Sequence, residues 1–360
     1  MLTPKTDELI ASPFRHDGDK DKAAWFFEKG LGSAIGKWRK HGHHDYPVTI
    51  FYVFKQAETS THGTASTGWE TFLSGVIEHG LTITATWPMR TEMKTRQVAM
   101  GTNALASSVV LACIPRSPDA TLATRREFLN ALKRELPDSL RNLQSGSIAP
   151  VDLAQAAIGP GMAVFSRYAK VIEADGKPMT VRAALSLINQ VLDEVLAEQE
   201  GEFDADTRWA VAWFEQHAMD EGDFGIAETL SKAKNTSVQG LAEAGIVKSR
   251  SGSVQLLKRE EMPPDWDPAT DQRLTEWEAA QHLIRALDHE GEIGAADLLR
   301  RLGGDYGEKA RDLAYRLYNI CERKKWASEA TAYNTIVLAR PEISKLAQAA
   351  PRADQQSLFE

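Results

Sequence analysis

Lys232, Lys234, Asn235, Thr236, Ser237 and Gln239 crowd one polar run, and Lys248 and Arg250 follow shortly after it. Cations hold phosphates, while amides and hydroxyls read base edges, so this set has the chemistry of a nucleic-acid contact. Glu228 and Glu243 in the same stretch fit the alternative, a surface that meets protein. A second set trails apolar runs nearer the N-terminus: Lys55 and Gln56 after Val48–Phe54, and Thr86, Arg90 and Glu92 at the end of Leu81–Trp87. Open α/β sheets bind ligands outside the carboxyl ends of their strands. Lys55 and Gln56 are therefore placed to touch phosphate or base, or to be a solvated strand end. Arg90 can take a phosphate or pair with Glu92.

Other residues invite chemistry and are better explained without it. Trp69 and Trp87 have faces that could stack on a base, but tryptophan beside apolar strands is usually core. His41, His43 and His44 precede Asp45 in a polar turn, with no further carboxylate at metal-ligand spacing, so a solvated loop is the favoured reading. Cys113 and Cys321 stand far apart in apolar surroundings, which argues against a disulfide framework and against a zinc site. Gly159-Pro-Gly161 follows a helical pattern and lacks a third glycine, so it is no dinucleotide loop. No metal and no cofactor site is legible in these residues.

The elements that must carry these groups follow from periodicity. Ala24, Phe27, Leu31, Ile35 and Trp38 give an amphipathic helix over Lys20–Lys40. Val48–Phe54, Leu81–Trp87 and Ser107–Cys113 read as strands, with a helix at Gly68–His79 between the first two. The first is continuously apolar, as in a strand of a parallel sheet covered on both faces. Thr124–Leu143 is a helix with Arg125, Arg126, Lys133, Arg134 and Arg141 on its polar side. Tyr168–Glu173, an Asp175-Gly turn and a helix at Val181–Ala197 form the next unit. From Thr207 the order is helix to His217, helix over Ile226–Lys234, and a helix to Ala244 capped by Asn235 or Thr236. Two short strands, Ile246–Leu257, close that order around a Ser-Gly turn. This predicts a winged helix-turn-helix. Helices over Thr275–Lys325 complete the fold, with a polar tail after Ile343.

The predicted architecture is thus an α/β N-terminal part followed by mainly α domains that include a winged-helix-like unit. Its segments are 1–118, an α/β part; 119–200, a helical connector with a short hairpin; 201–262, the winged-helix-like unit; 263–343, a helical domain; and 344–360, a disordered tail. The 360 residues suffice for two to three domains, and 42% hydrophobic content can fill their cores. No apolar run reaches membrane-spanning length and no charged-then-apolar leader opens the chain, so a cytoplasmic protein is expected. A net charge of −8 disfavours attraction of nucleic acid to the whole surface, but leaves room for a local basic face.

Several stretches together resemble a known family. Thr3–Leu9, Phe51–Gln56, Thr67–Glu70, Thr86–Glu92 and Asn103–Leu111 look like parts of the large adenine-specific DNA methylases that carry a zinc ribbon. The similarity extends through Ile148–Tyr168, Phe203–Glu215, Asp265–Arg273 and Arg311–Trp326. The resemblance implies an S-adenosylmethionine-dependent fold whose donor loop and Asp/Asn-Pro-Pro-Tyr/Phe motif lie upstream of Thr3–Leu9. Neither motif is in these residues; the one Pro-Pro, Pro263-Pro264, follows Glu261-Met262 and does not match. Nor can two cysteines make the ribbon. Methylating adenine needs the base flipped and held, and the donor methyl in line with its nitrogen. The resemblance therefore implies the C-terminal portion or subunit of such a methyltransferase, the opening strands being the back of its catalytic sheet. It would use S-adenosylmethionine only when completed by the N-terminal half, and its partners would be that half and DNA. The alternatives are a non-catalytic DNA-binding or regulatory protein derived from such an enzyme, and a poorly folding remnant.

The end of the chain stands apart. Gln355-Gln-Ser-Leu358-Phe359 offers two apolar anchors in a polar tail. It resembles the peptide by which bacterial replication and repair proteins dock on the sliding clamp, which makes Gln355, Leu358 and Phe359 partner-binding candidates.

Overall fold

A computed structural model describes residues 8–10, 12–43, 45–53, 67–89 and 108–349. They fall into two units, one drawn from residues up to 143 and from 152–193, the other from 144–151 and 194–349. The first is α/β and the second mostly helical, as the sequence predicts.

In the first unit, α1 (Lys20–His41) starts at Asp19, whose carboxylate accepts from the Asp21 and Lys22 amides at 3.0 Å each. Strand β1 (Val48–Val53), helix α2 (Thr67–Glu78), strand β2 (Leu81–Met89) and strand β3 (Ser108–Pro115) follow. The sheet order is β1-β3-β2, and β3 runs antiparallel to both neighbours. This corrects the expected parallel neighbours. It also moves the fully covered position from β1 to β3, whose Ser108–Cys113 are all buried, whereas Phe51 of β1 is 66% exposed. The long apolar run of β1 is the mark of an edge strand with one face open. Helix α2 covers the other face: Tyr52 stacks on Phe72 at 4.5 Å between ring centroids and meets Trp69 at 5.1 Å. Trp69 is core, being 2% exposed.

The β2 edge is closed by α4 (Pro150–Ser166), which follows β4 (Leu122–Thr124) and α3 (Arg125–Ser145). The Ile83 amide donates to Ser166 Oγ at 3.0 Å, and Thr82 Oγ1 donates to the Ser166 carbonyl at 3.1 Å. Pro160 sits inside α4 and has no amide hydrogen, so the Ala156 carbonyl loses its helical donor. Thr86 Oγ1 supplies the replacement at 3.1 Å. Gly159 permits this approach, since a Cβ there would lie 2.6 Å from the Thr86 nitrogen. The glycines expected to tighten a loop are instead packing positions in a helix.

The hairpin expected over residues 168–178 is reduced. Its turn forms, with Gly176 at φ 82° and the Glu173 amide donating to the Lys177 carbonyl at 2.9 Å. Yet β5 (Lys170–Ile172) pairs in parallel with β4, and a single bridge, Ile172 to Pro178, remains of the antiparallel partner. Helix α5 (Val181–Glu198) follows.

The second unit begins with α6 (Ala205–His217), then β6 (Gly222–Asp223), α7 (Phe224–Ala233), α8 (Val238–Glu243), β7 (Val247–Arg250) and β8 (Ser253–Leu256). The three strands form an antiparallel sheet in the order β6-β8-β7. Helices α9 (Glu276–Leu302), α10 (Gly304–Lys324) and α11 (Ala327–Gln348) pack on one another, and α9 breaks at Gly291, φ 71°. Trp277, Tyr315, Tyr333 and Phe214 fill this unit's core. Helix α11 continues past Ile343 to Gln348, beyond the point where the polar tail was expected to begin. No helix among the described residues is long and apolar enough to cross a membrane.

Candidate nucleic-acid interface

The residues predicted to contact nucleic acid in the second unit lie where α7 turns into α8 and on the β7–β8 hairpin. Asn235 takes the left-handed backbone, φ 60°, that ends the turn after α7, and it does not cap α8. Ser237 does, its Oγ accepting from the Gly240 amide at 3.0 Å. The sequence pointed to Asn235 or Thr236 as cap; Thr236 instead donates through its hydroxyl to Asp206. Gln239 spends an amide hydrogen on Glu243 at 2.9 Å. Lys248 is paired with Glu261, and Lys232 with Glu228 at 3.1 Å. Among the described residues this leaves Lys234 and Arg250 as the cations of the set without an ion pair, with Asn235 exposed beside them. Lys55, Gln56, Arg90, Gln355, Leu358 and Phe359 lie outside the described residues.

The space over the start of α8 is occupied by another cation. The Arg273 guanidinium lies against Gly240, where a Cβ would come within 2.6 Å of it. Arg273 donates to both oxygens of buried Asp206, at 2.7 and 3.1 Å, and that carboxylate makes the Arg273 guanidinium hold its proton more tightly than usual. This bidentate pair makes Arg273 a strut and not a phosphate ligand.

Around that strut sits a set of carboxylates that the sequence reading missed. Asp204 caps α6, taking the Thr207 amide at 2.7 Å, and also accepts from the Glu276 amide at 3.1 Å. Glu276 returns the favour by accepting from the Asp204 amide at 2.9 Å, so the starts of α6 and α9 cap each other. Burial and the neighbouring Glu276 raise Asp204 to about 6. Burial opposes ionisation of Glu276, but hydrogen bonds with Asp204 and Lys309 hold it below the usual range. Glu278 is 3% exposed, and burial together with the charge of Asp271 pushes it up to about 8. A signal was available: Thr275-x-x-Glu278 is a capping pattern, and Thr275 Oγ1 accepts from the Glu278 amide at 3.2 Å. These groups hold helix starts together. No His/Cys/Asp/Glu group among the described residues has the form of a metal site.

Elsewhere, His43 Nδ1 accepts from the Asp45 amide at 3.1 Å, forming a local turn. Cys113 and Cys321 are buried, each thiol pushed up to about 12, mainly by burial.

Charge divides unevenly along the chain. Residues 1–193 contain 22 Lys and Arg against 19 Asp and Glu, and residues 194–360 contain 20 against 31. The total of −8 is therefore +3 and −11, and the surplus of cations belongs to the α/β unit.

A family described as a domain of unknown function (DUF8807) matches residues 204–359, a span that opens on the α6 cap and runs through the helices. No curated protein and no solved structure matches the chain.

Proposed function

We propose that this chain supplies the distal half of the catalytic sheet of an adenine-specific DNA methyltransferase. The glycine-rich donor loop and the Asp/Asn-Pro-Pro-Tyr/Phe motif would come from residues outside these 360. The supporting observation is the strand order β1-β3-β2. Helix α2 connects β1 to β2, which run in the same direction, and β3 lies reversed between them. Mixed sheets of parallel and reversed strands are common among doubly wound folds. The β2 side is sealed by α4, while β1, among the described residues, is paired only with β3 and carries no charged residue. Edge strands that stay single are usually blunted by charge, proline or a bulge. On this reading, the free edge of β1 receives a parallel strand from the donor-binding half, and S-adenosylmethionine binds only in the completed sheet.

The remaining assignments belong to the same proposal. The order helix, strand, helix, helix and hairpin, with the sheet order β6-β8-β7, supports reading this unit as a winged helix. In such a unit Lys234, Asn235 and Arg250 offer DNA contacts, Lys248 offers one if it leaves Glu261, and Gln355, Leu358 and Phe359 offer a clamp-docking peptide. One observation favours a regulatory role for the C-terminal part. With 31 acidic against 20 basic residues, its surface repels phosphate overall, so it suits a protein partner better than a duplex.

Hydrogen exchange tests the sheet assignment. Adding the donor-bearing half should slow exchange at the Thr49–Tyr52 amides of β1 more than at α9–α11. Unchanged β1 exchange in a formed complex would refute it.

A further inference from the structure

A groove of about 410 Å³ runs between β2 and α3 in the first unit, lined by Trp87, Thr84, Glu135, Ser139, Asn142 and Pro160, among others. Its volume lies in the range of roughly 300–1,000 Å³ typical of small-ligand sites. Trp87 is 50% exposed and lies near the carboxyl end of β2. Glu135, Ser139 and Asn142 recur at helical spacing, so one stripe of α3 forms the facing wall.

Cations rim that wall. Arg134 and Arg141 project from the adjacent stripe with side chains 72% and 58% exposed. Arg167, at the end of α4, grips Glu135 through two 2.9 Å contacts, and Arg134 reaches the same carboxylate at 2.9 Å. Asp138 lies 3.9 Å from Arg141, so three guanidinium groups face two carboxylates and leave one net positive charge at the groove, in the unit that holds the chain's cation surplus. Asn142 is exposed, and no partner of its amide is present among the described residues. Ser139 donates to the Glu135 carbonyl at 3.1 Å, which leaves its oxygen free to accept.

An exposed aromatic face, a free amide and a cationic rim are the three parts of a site for unpaired nucleotides. We propose that this groove binds single-stranded nucleic acid, one base stacked on Trp87 with its edge toward Asn142, and the backbone along Arg134 and Arg141, with Arg167 holding Glu135 in place. The ligand class rests on the methyltransferase reading only in its biological setting, since a strand opened around a flipped base is where such an enzyme meets unpaired nucleotides. A peptide has no general reason to combine stacking with a row of anions, whereas a nucleic-acid strand carries both in every unit.

The test uses the full chain without any partner and a fluorescently labelled oligothymidylate of about 12 nucleotides, within the roughly 4–16 nucleotide footprint of single-strand sites. Anisotropy titration should show binding that the matching duplex competes for poorly. Trp87→Ala should weaken it about tenfold or more, the range expected for one stacked base, while Trp87→Phe should retain most of it. Arg134→Gln should weaken binding and reduce the slope of log affinity against log salt by about 0.7, one phosphate contact on a single strand. Thermal melts of the variants should stay at the wild-type temperature, which separates lost binding from unfolding at the half-exposed Trp87 site. Equal affinity of wild type and Trp87→Ala, preference for duplex, or no binding at low salt would overturn the proposal, as would equally effective competition by polyglutamate. Failure of methyl transfer with the Trp87 dependence intact removes the enzyme reading and leaves this groove; active methyl transfer with no Trp87 dependence does the reverse.

Discussion

Replacing Glu278 with Gln should stabilise the second unit at alkaline pH and leave it unchanged in acid. The carboxyl group is 3% exposed, and Gly245, at φ 67°, leaves only 2.8 Å between its would-be Cβ and Glu278 Oε1. Burial first, then Asp271, lifts its titration from the ordinary 4.5 to about 8. Between those values the folded chain keeps a proton that the unfolded chain has lost, so stability falls as pH rises. At about 1.4 kcal/mol per pH unit, the loss reaches about 3 kcal/mol by pH 7 and about 5 kcal/mol once the folded group ionises. Gln keeps the acceptor for Thr275 Oγ1, which lies 3.0 Å from the carboxylate, but has nothing to ionise. Urea unfolding followed by tryptophan fluorescence, from pH 5 to 9, measures the difference directly because Trp277 is adjacent and buried. Wild type should lose stability across that range relative to Glu278→Gln, while a shallower slope below pH 6 persists in both from Asp204. Parallel profiles for the two proteins would refute the assignment of a buried, neutral Glu278.

Other expectations follow from single contacts. Thr86→Val should cost about 1–3 kcal/mol, because the Ala156 carbonyl that Pro160 cannot serve is left without a donor; a melt lowered no more than by Thr84→Val would contradict this. Gly159→Ala should destabilise the first unit by about 1–3 kcal/mol through overlap with β2, against the gain normally seen for Gly→Ala in a helix, and chemical denaturation reads the sign. Arg273→Ala should cost about 1–3 kcal/mol, since it removes two of the donors to buried Asp206 and leaves Thr236, and Asp206→Asn in the same chain should recover part of that loss. Ser237→Ala should cost about 1 kcal/mol as a lost cap and leave any DNA affinity unchanged.

Much of the architecture was legible. Amphipathic spacing found α1 and α3, and the Ser-Gly pair found the β7–β8 turn, because these signals are local. Pairing was not legible, because it depends on contacts between distant residues. The continuous apolar run Val48–Phe54 suggests a covered parallel strand, yet it is Ser108–Pro115, with smaller side chains and no aromatic, that takes the central place. The β4–β5 pairing brings Leu122 opposite Lys170, a choice no turn residue encodes. At the candidate site, residue types were legible in the sequence and their commitments to neighbouring groups were not. Ser237, Gln239 and Lys248 have suitable chemistry for nucleic acid, but a cap, Glu243 and Glu261 claim them. The rim on α3 was visible as Arg134 and Arg141, but its meaning needed Trp87 on the strand across the groove.

The most direct measurement is transfer of a labelled methyl group from S-adenosylmethionine to adenine in duplex DNA. It would be made with this chain, with a donor-bearing segment that holds the glycine-rich loop and the Asp/Asn-Pro-Pro-Tyr/Phe motif, and with both together. Transfer is expected from the pair and from neither alone. Transfer by the donor-bearing segment at an equal rate without this chain, or none from the folded pair, would contradict the claim that these strands complete a catalytic sheet.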